Sequence, residues 1–306
     1  MMQTSHTHRF RIPVHCGGAV YEDNGVLMLP DSYTPDGKPT VLVINCHGAG
    51  GTVATDDSQV EGQVITKYLL ANGYAVMDVN GLPEDYAAQA GIDIRNNIGS
   101  PIAMESYLGA YHYCMEHFHL RHEVFVHGGS MGGISSTNLV LSGQIPVIAQ
   151  TGFCPVLDTY HQIFLHPWSG GLPRTALGIL YGLEREEDGA WIYDAEKIAG
   201  YNPMARCCGA ADEELLFYPV PVKFWQCEDD DTVDISVTKR FVAAVCRAGG
   251  TAALDTFPDG GHEPQDRGAP VEQPAGCVSF RGETLAPRAA VEGAFRWIHM
   301  FDTTRQ

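Results

Sequence analysis

The sequence predicts an α/β fold in which helices cover both faces of a mostly parallel sheet. Short, continuous apolar runs such as 40–46 and 74–79 are typical of strands that are buried on both faces. Candidate helices alternate with these strands along the chain. A third observation is the heptapeptide His-Gly-Gly-Ser-Met-Gly-Gly at 127–133, which directly follows the apolar run 123–126. The regular alternation predicts a single domain over residues 1–306.

The first predicted elements are two antiparallel edge strands. Residues 19–22 and 26–29 have a strand-like composition, and Asn24-Gly25 between them is a typical sequence for a tight hairpin turn. A turn-rich segment at 30–39 leads to the first buried strand, at 40–46.

The boundaries of the next helix can be recognised from single residues. Ser58 and Glu61 form a capping box, which predicts a helix through Leu70. Gly73 ends that helix, and a strand follows at 74–79.

A long loop at 81–99 is expected before the next helix. Ser100 and Pro101 fit the N-cap and the first position of a helix that runs to about Phe118. The remaining elements follow from the same patterns: a helix at 131–142, strands at 146–150, 222–225 and 252–257, and a closing helix at 287–301.

A possible nucleophile lies between a predicted strand and a predicted helix, in the pattern Gly128-x-Ser130-x-Gly132. A serine on such a sharp turn exposes its Oγ at the end of the sheet. Glycine is needed where the turn is strained and neighbouring backbone is close. Because this pattern also occurs by chance, its context has to support the interpretation.

The context supplies the other parts that acyl transfer needs. The loop 47–51, His-Gly-Ala-Gly-Gly, can direct backbone N–H groups at an oxyanion. An acidic turn at 228–231 follows the strand at 222–225, and His262 follows the strand at 252–257. The order along the chain is therefore oxyanion loop, serine, aspartate, histidine.

With these motifs in this order, the chain resembles the α/β-hydrolase superfamily of serine hydrolases. It is most similar to single-domain esterases related to the catalytic domain of prolyl oligopeptidases. The resemblance covers about residues 20–262 and the last helix. It implies the α/β-hydrolase fold, with Ser130 as the nucleophile and His262 as the base.

The resemblance also implies that Asp230 is the acid of the catalytic triad. The family pattern has a valine three residues after that aspartate, and Val233 stands at this position. Asp229 and Asp231 lie on the same turn and remain alternatives. In this arrangement His262 takes the proton of Ser130, and the aspartate orients the imidazole.

The oxyanion hole is predicted from backbone N–H groups. Met131, directly after the serine, is expected to provide one of them, and Ala49 in the 47–51 loop the other, with Gly50 as the alternative. His47 is expected to have a structural role beneath this loop.

Two segments interrupt the alternation of strands and helices. Residues 155–217 occupy the place where the family inserts a cap, so they are expected to form a lid or substrate wall; an ordinary crossover helix is the alternative. Residues 263–286 begin beside His262 and either shape the pocket or are surface ornament. The possible substrate contacts in the first segment, each of which can equally be packing, are Tyr160, His161, Trp168 and Trp191.

Composition and charge limit the partners. The formal net charge is −18, which argues against nucleic acid and anionic membranes as partners. The first residues lack the features of a secretory signal. The nine cysteines form no CxxC pattern and are expected to be reduced thiols, which favours the cytoplasm. The oligomeric state is not predicted.

No metal and no cofactor are expected. The histidines show no zinc-binding spacing such as HExxH, and the sequence has no GxGxxG or P-loop motif.

The predicted function is hydrolysis of a carboxylic ester, on a small or oligosaccharide substrate carrying short acyl, acetyl or feruloyl groups. The choice of acyl group rests on the resemblance alone. A peptidase of the prolyl oligopeptidase type is the first alternative, although only about 40 residues precede the oxyanion strand, whereas those enzymes carry a large N-terminal propeller. A non-catalytic binding protein of the same fold is the second alternative.

Overall fold

The computed structural model describes residues 6–53, 59–165, 172–208, 218–268, 278–281, 283–285 and 287–303. Its strands are β1 (Thr7–Cys16), β2 (Ala19–Met28), β3 (Thr40–Cys46), β4 (Ala75–Val79), β5 (Leu120–Gly129), β6 (Val147–Phe153), β7 (Val222–Cys227), β8 (Ala252–Phe257), β9 (Val278–Phe280) and β10 (Glu283–Leu285). Its α-helices are α1 (Gln59–Gly62), α2 (Val64–Ala71), α3 (Glu84–Ala90), α4 (Pro101–His117), α5 (Gly132–Ser142), α6 (Leu172–Leu180), α7 (Ala195–Ala199), α8 (Pro203–Cys208), α9 (Ile235–Arg247) and α10 (Ala289–Phe301).

Over the described residues, eight strands form one sheet in the order β1-β2-β4-β3-β5-β6-β7-β8. The six strands from β4 to β8 in this order are parallel, while β1 and β2 are antiparallel and lie at one edge. The predicted α/β fold with a mostly parallel sheet is therefore confirmed.

The antiparallel edge was predicted with the wrong turn. Residues 19–28 form one continuous strand, and the hairpin turn is Gly17-Gly18, between β1 and β2. Both glycines have positive φ, which a two-residue turn of this kind requires. Gly25 instead lies opposite Phe10 within the ladder, where a Cβ would overlap with the Phe10 ring. Cross-strand packing, which the local sequence does not reveal, thus decided the role of Asn24-Gly25.

The central strands have a core on each face because successive side chains point to opposite sides. In β3, Leu42 and Ile44 belong to the core cluster that includes residues of α4 and α9, whereas Val41 and Val43 belong to the cluster that includes residues of α2 and α10. All four are at most 4% exposed. This burial explains the continuous apolar runs in the sequence.

The helix predicted from residue 58 to Leu70 is broken. It consists of α1 and α2, separated at Gln63, whose backbone is extended. Ser58 of the predicted capping box lies outside the described residues. The predicted loop at 81–99 contains α3, which was missed.

Most other boundaries were predicted to within a few residues. Ser100 caps α4 as expected, accepting a hydrogen bond from the Ala103 N–H at 3.3 Å. The strand before the serine is longer than predicted, since it begins at Leu120 and runs to Gly129.

The described parts of 155–217 contain a π-helical turn at His161–Leu165 and helices α6, α7 and α8. Apolar side chains of the π-helical turn, α6 and α7 share a cluster with Met131, next to the serine, and Ile134 of α5. The role of this segment as a cap, and the single domain over residues 1–306, stay predictions. Within 263–286, β9 and β10 form a small hairpin.

No described helix combines the length and apolar character that crossing a bilayer requires.

Candidate active site

Ser130 stands on a sharp turn between β5 and α5. Its φ is +51°, a left-handed conformation that non-glycine residues rarely adopt. The turn is held by hydrogen bonds on both sides of the serine: its N–H donates to the Phe153 carbonyl at 2.9 Å, and its carbonyl accepts from Gly133 and Val156, also at 2.9 Å. Such strain persists where the surrounding structure over-determines it, and it is frequent at functional sites.

The two glycines flanking Ser130 are required by close backbone approach. A Cβ on Gly128 would overlap with the Ser136 hydroxyl, and a Cβ on Gly132 would overlap with the Cys46 carbonyl at the end of β3. The helix therefore packs directly against the sheet behind the serine, which explains the G-x-S-x-G pattern in physical terms.

His262 lies on the loop after β8 and faces Ser130. Its Nε2 is 2.9 Å from Ser130 Oγ, within hydrogen-bond distance. The preceding Gly260 and Gly261 both have positive φ, which lets the chain turn back towards the serine. The sequence predicted this contact from chain order, although 132 residues separate the two side chains.

Asp230 is the member of the acidic turn that contacts the imidazole. Both of its carboxylate oxygens lie 3.1 Å from His262 Nδ1. The carboxylate is itself held by donors at 3.0 Å, namely the N–H groups of Thr232 and Val233 and the Gln226 amide. Its side chain is fully buried, so a single orientation is imposed on the histidine.

Asp229 contacts the histidine loop through backbone rather than through the imidazole. It accepts hydrogen bonds from Gly261 N–H at 2.8 Å and Gly260 N–H at 3.2 Å. These bonds lower the pKa of its carboxyl group. Asp231 is exposed and near Thr232. Of the three candidates, Asp230 is the one whose carboxylate lies within hydrogen-bond distance of the His262 ring.

The loop after β3 presents backbone N–H groups beside the serine. Among the hydrogen bonds of the described residues, the N–H groups of Met131 and Ala49 have no acceptor, whereas Gly50 N–H donates to the Arg95 carbonyl at 3.4 Å. This favours Ala49 over Gly50. Gly48 of the same loop, which was not singled out from the sequence, also lies next to Ser130, since a Cβ added at Gly48 would be 3.2 Å from that of the serine.

A cavity of about 410 Å³ opens at Ser130. It lies over the carboxyl ends of β3, β5 and β6, between the oxyanion loop, the break between α1 and α2, and the histidine loop. Glu263 and Asp266 also line it, so the segment that begins at 263 does shape the pocket.

The described members of the predicted substrate set, Tyr160, His161 and Trp191, are not among the residues that line this cavity. Tyr160 is 39% exposed and packs on Phe164 and Tyr193, outside the lining of this cavity. His161 lies 3.4 Å from the Asp234 carboxylate. Trp191 packs beneath the Arg185 guanidinium at 4.0 Å. Trp168 lies outside the described residues. A substrate contact for Tyr160 and Trp168 therefore stays a prediction.

Solved structures with the same arrangement of strands and helices identify the fold. A puromycin-hydrolyzing peptidase of Mycobacterium tuberculosis superposes with a TM-score of 0.61 over 84% of this chain, at 19% identity. The acylaminoacyl peptidase of Pyrococcus horikoshii gives 0.59 over 98%, at 12% identity. Est1E from Butyrivibrio proteoclasticus gives 0.51 over 84%, at 14% identity. The chain has the α/β-hydrolase fold.

The likeness is one of structure, and its extent differs among these proteins. The chain spans 37% and 42% of the lengths of the two peptidases but 91% of Est1E. No protein-family model matches the sequence, and no curated protein matches it.

Beneath the oxyanion loop, this α/β-hydrolase fold contains a buried polar network centred on Asp78. The Asp78 carboxylate lies 3.1 Å from His47 Nδ1 and accepts from the Asn45 amide at 2.8 Å and the Tyr107 hydroxyl at 3.0 Å. Burial opposes a charge on His47, but the charge and hydrogen bond of Asp78 outweigh it, so the pKa of His47 is raised. His47 was expected to have a structural role, but its partner Asp78 was not predicted. Asp78 could have been noticed as a charged residue inside the apolar run 74–79.

Cys154 is a second residue that the sequence did not indicate. Its Sγ lies 3.8 Å from His262 Nε2, and Cys154, Asp230 and His262 are a group whose potential metal-binding atoms lie within 4.8 Å of one another. Both nitrogens of His262 already face Asp230 and Ser130. Burial also raises the pKa of the Cys154 thiol, which disfavours the thiolate that a metal requires. The group therefore fits a hydrogen-bonded triad better than a metal site.

Proposed function

We propose that this protein is a serine hydrolase that cleaves carboxylic esters through an acyl-enzyme. The observation that carries the proposal is the continuous contact from Asp230 through His262 to Ser130, at 3.1 and 2.9 Å. A serine hydroxyl is a poor nucleophile until a base within hydrogen-bond distance removes its proton. This geometry supplies that base and holds it in orientation.

In the first half of the reaction, Ser130 Oγ attacks the ester carbonyl while its proton moves to His262 Nε2. Asp230 stabilises the resulting imidazolium through Nδ1. The tetrahedral oxyanion is held by the N–H groups of Met131 and Ala49. The C–O bond to the alcohol then breaks, and His262 returns the proton to the departing oxygen.

In the second half, water replaces the alcohol. His262 takes a proton from the water, whose oxygen attacks the acyl carbon and forms a second tetrahedral intermediate. Collapse of this intermediate breaks the bond to Ser130 Oγ, which regains its proton from His262. The acid is released and the enzyme returns to its starting state.

The proposed substrates are short-chain or carbohydrate-linked esters, with acetyl or feruloyl as the acyl group. The support is the cavity at Ser130, whose lining mixes apolar side chains with the amides of Gln63 and Gln265 and the carboxylates of Glu263 and Asp266. Such a lining suits a compact, partly polar substrate better than a long lipid chain.

A serine peptidase is the second candidate. Peptidases are among the solved structures that share its fold. The chain spans less than half of each, so the comparison supports the candidate through the shared fold alone.

The test is hydrolysis of p-nitrophenyl esters from acetate to palmitate, together with methyl ferulate, acetylated xylan and an N-acylated peptide p-nitroanilide. Wild type is compared with Ser130→Ala and with Ser142→Ala, a matched serine at the far end of α5. We expect ester hydrolysis that only Ser130→Ala abolishes, and labelling by a fluorophosphonate at one serine.

The outcomes separate the candidates. Cleavage of the p-nitroanilide with weaker ester turnover would favour the peptidase. Absence of both hydrolysis and fluorophosphonate labelling in the folded wild type would contradict the catalytic proposal and favour the binding protein.

A further inference from the structure

The floor of the cavity at Ser130 contains a polar side chain that the proposed mechanism does not use. His127 on β5 lines the cavity and is 3% exposed. Its Nδ1 lies 2.9 Å from Thr151 Oγ1 on the neighbouring strand β6, and its ring packs edge-on against Phe153 at 4.7 Å. Two adjacent strands therefore fix the position of the imidazole.

His127 is neutral at physiological pH. Burial lowers its pKa to about 4, and no carboxylate is among the causes of this shift. A neutral imidazole has one nitrogen that donates a hydrogen bond and one that accepts. The environment of Nδ1 therefore determines what Nε2 can do.

The Thr151 hydroxyl fixes the tautomer. Among the described residues its hydrogen-bond partner is His127, so its proton is satisfied only if it donates to Nδ1. The ring proton then resides on Nε2. Within the same part of the structure Nε2 has no protein acceptor, and His127 is among the residues that line the cavity. This unpaired N–H belongs to a residue that lines the cavity.

The cavity lining also includes exposed acidic side chains, in contrast to the neutral, buried His127. Glu263 and Asp266 are exposed there, and no lysine or arginine is among the described lining residues. The formal net charge of the chain is −18. A substrate carboxylate is repelled by this field, so the acceptor that meets His127 must be an uncharged oxygen.

The two ends of the cavity are suited to different parts of an ester. The leaving alcohol must stay within reach of His262 Nε2, which protonates it. The part of the cavity lined by the buried His127 is then left for the acyl group.

We propose that His127 determines acyl specificity, donating a hydrogen bond from Nε2 to an uncharged ether, hydroxyl or carbonyl oxygen on the acyl chain. This inference rests on the proposed function, because it assigns the acyl group to a cavity beside the nucleophile. A site built to pair with a substrate oxygen discriminates against the analogue that lacks it, since that analogue gives the N–H in the cavity no acceptor.

The test compares p-nitrophenyl methoxyacetate with p-nitrophenyl butyrate, which differ by one oxygen in place of one methylene. The measured quantity is the ratio of their kcat/KM values in wild type, His127→Phe and His122→Phe. Comparing variants cancels the intrinsic reactivity of the two esters. His122 is the matched control because it is an exposed histidine on the same strand.

We expect the ratio to fall about tenfold in His127→Phe and to stay within twofold of wild type in His122→Phe. Thr151→Val, a smaller change that removes only the hydroxyl holding Nδ1, should lower the ratio at least threefold and gives a second readout if His127→Phe is unstable. Ratios within twofold of wild type in both variants would overturn the inference. Hydrolysis that survives Ser130→Ala would instead overturn the proposed function.

Discussion

Two histidine–aspartate pairs in this molecule have the same geometry but different surroundings. His262 Nδ1 and His47 Nδ1 each lie 3.1 Å from a carboxylate oxygen, of Asp230 and Asp78 respectively. The His262 side chain is 22% exposed, and its Nε2 faces Ser130. Both side chains of the second pair are fully buried, and the Nε2 of His47 faces the Asn97 amide at 3.5 Å.

The two pairs differ in what the second ring nitrogen, Nε2, contacts: a serine hydroxyl at His262 and an amide at His47. This contact is what would distinguish a catalytic pair from a structural one. A histidine can shuttle protons when its free nitrogen meets a nucleophile in a cavity that substrate can enter. The same pair sealed under a loop has no proton acceptor that changes during a reaction. It can only hold the loop whose N–H groups are proposed to bind the oxyanion.

The comparison predicts its largest effect for the exposed pair. Asp230→Asn should lower kcat for p-nitrophenyl acetate by about 10⁴-fold, because the imidazole then adopts the wrong tautomer. The free energy of unfolding should change much less. Steady-state kinetics and urea unfolding measure the two quantities.

The neighbouring carboxylates provide the matched controls for this change. Asp229→Asn and Asp231→Asn should each lower kcat less than tenfold, because neither side chain is seen to contact the imidazole. A loss at Asp229 or Asp231 equal to that at Asp230 would contradict the assignment of the acid.

For the buried pair of His47 and Asp78, a substitution should affect the free energy of unfolding more than it affects any step of catalysis directly. Asp78→Ala leaves His47, Asn45 and Tyr107 without their common acceptor, and breaking a buried pair of this kind costs about 3–5 kcal/mol. Urea unfolding of wild type and variant checks this value, with Asp255→Ala as a partly exposed aspartate on β8 for comparison. Equal unfolding midpoints for Asp78→Ala and wild type would show that the network does not stabilise the fold.

His127 sharpens the comparison because it is a buried histidine with a hydroxyl instead of a carboxylate as partner. Its pKa is about 4 in the folded protein, below its ordinary value of 6.5. Between these values the unfolded chain binds a proton that the folded protein does not. Stability should therefore fall as pH is lowered from 6.5 to 4, by about 3 kcal/mol from this residue alone.

The measurement is the free energy of unfolding at pH 6.5 and pH 4 for wild type, His127→Phe and His122→Phe. The decrease should be about 3 kcal/mol smaller in His127→Phe than in the other two proteins. Identical decreases in all three would mean that His127 is protonated in the folded state as readily as in the unfolded chain.

Much of the fold was predictable because it depends on local patterns. The continuous apolar run at 40–46 is β3 at the predicted residues, and Ser100-Pro101 begins α4 as its capping chemistry requires. The predicted position of the hairpin turn was wrong. Asn24-Gly25 and Gly17-Gly18 both satisfy local turn rules, and only the packing of Phe10 against Gly25 distinguishes the two positions.

The candidate site was likewise predictable in part from the sequence. Ser130 and His262 were predicted from motifs and chain order, and the structure brings them to 2.9 Å. The family resemblance favoured Asp230 among three adjacent aspartates, and its carboxylate lies 3.1 Å from His262 Nδ1. The hydrogen bond from Gly50 N–H to the Arg95 carbonyl and the partnership of Asp78 with His47 were not derivable from the residues themselves.

The sequence by itself determined the α/β class, the serine turn and the order of the chemical groups, because hydrophobic period, capping and glycine requirements act over a few residues. The tertiary structure alone decided that Asp78 pairs with His47, that Gly50 N–H donates to the Arg95 carbonyl, and that His127 lines the cavity at Ser130. These depend on contacts between residues tens to hundreds of positions apart, and small differences in register and loop geometry decide which atoms meet.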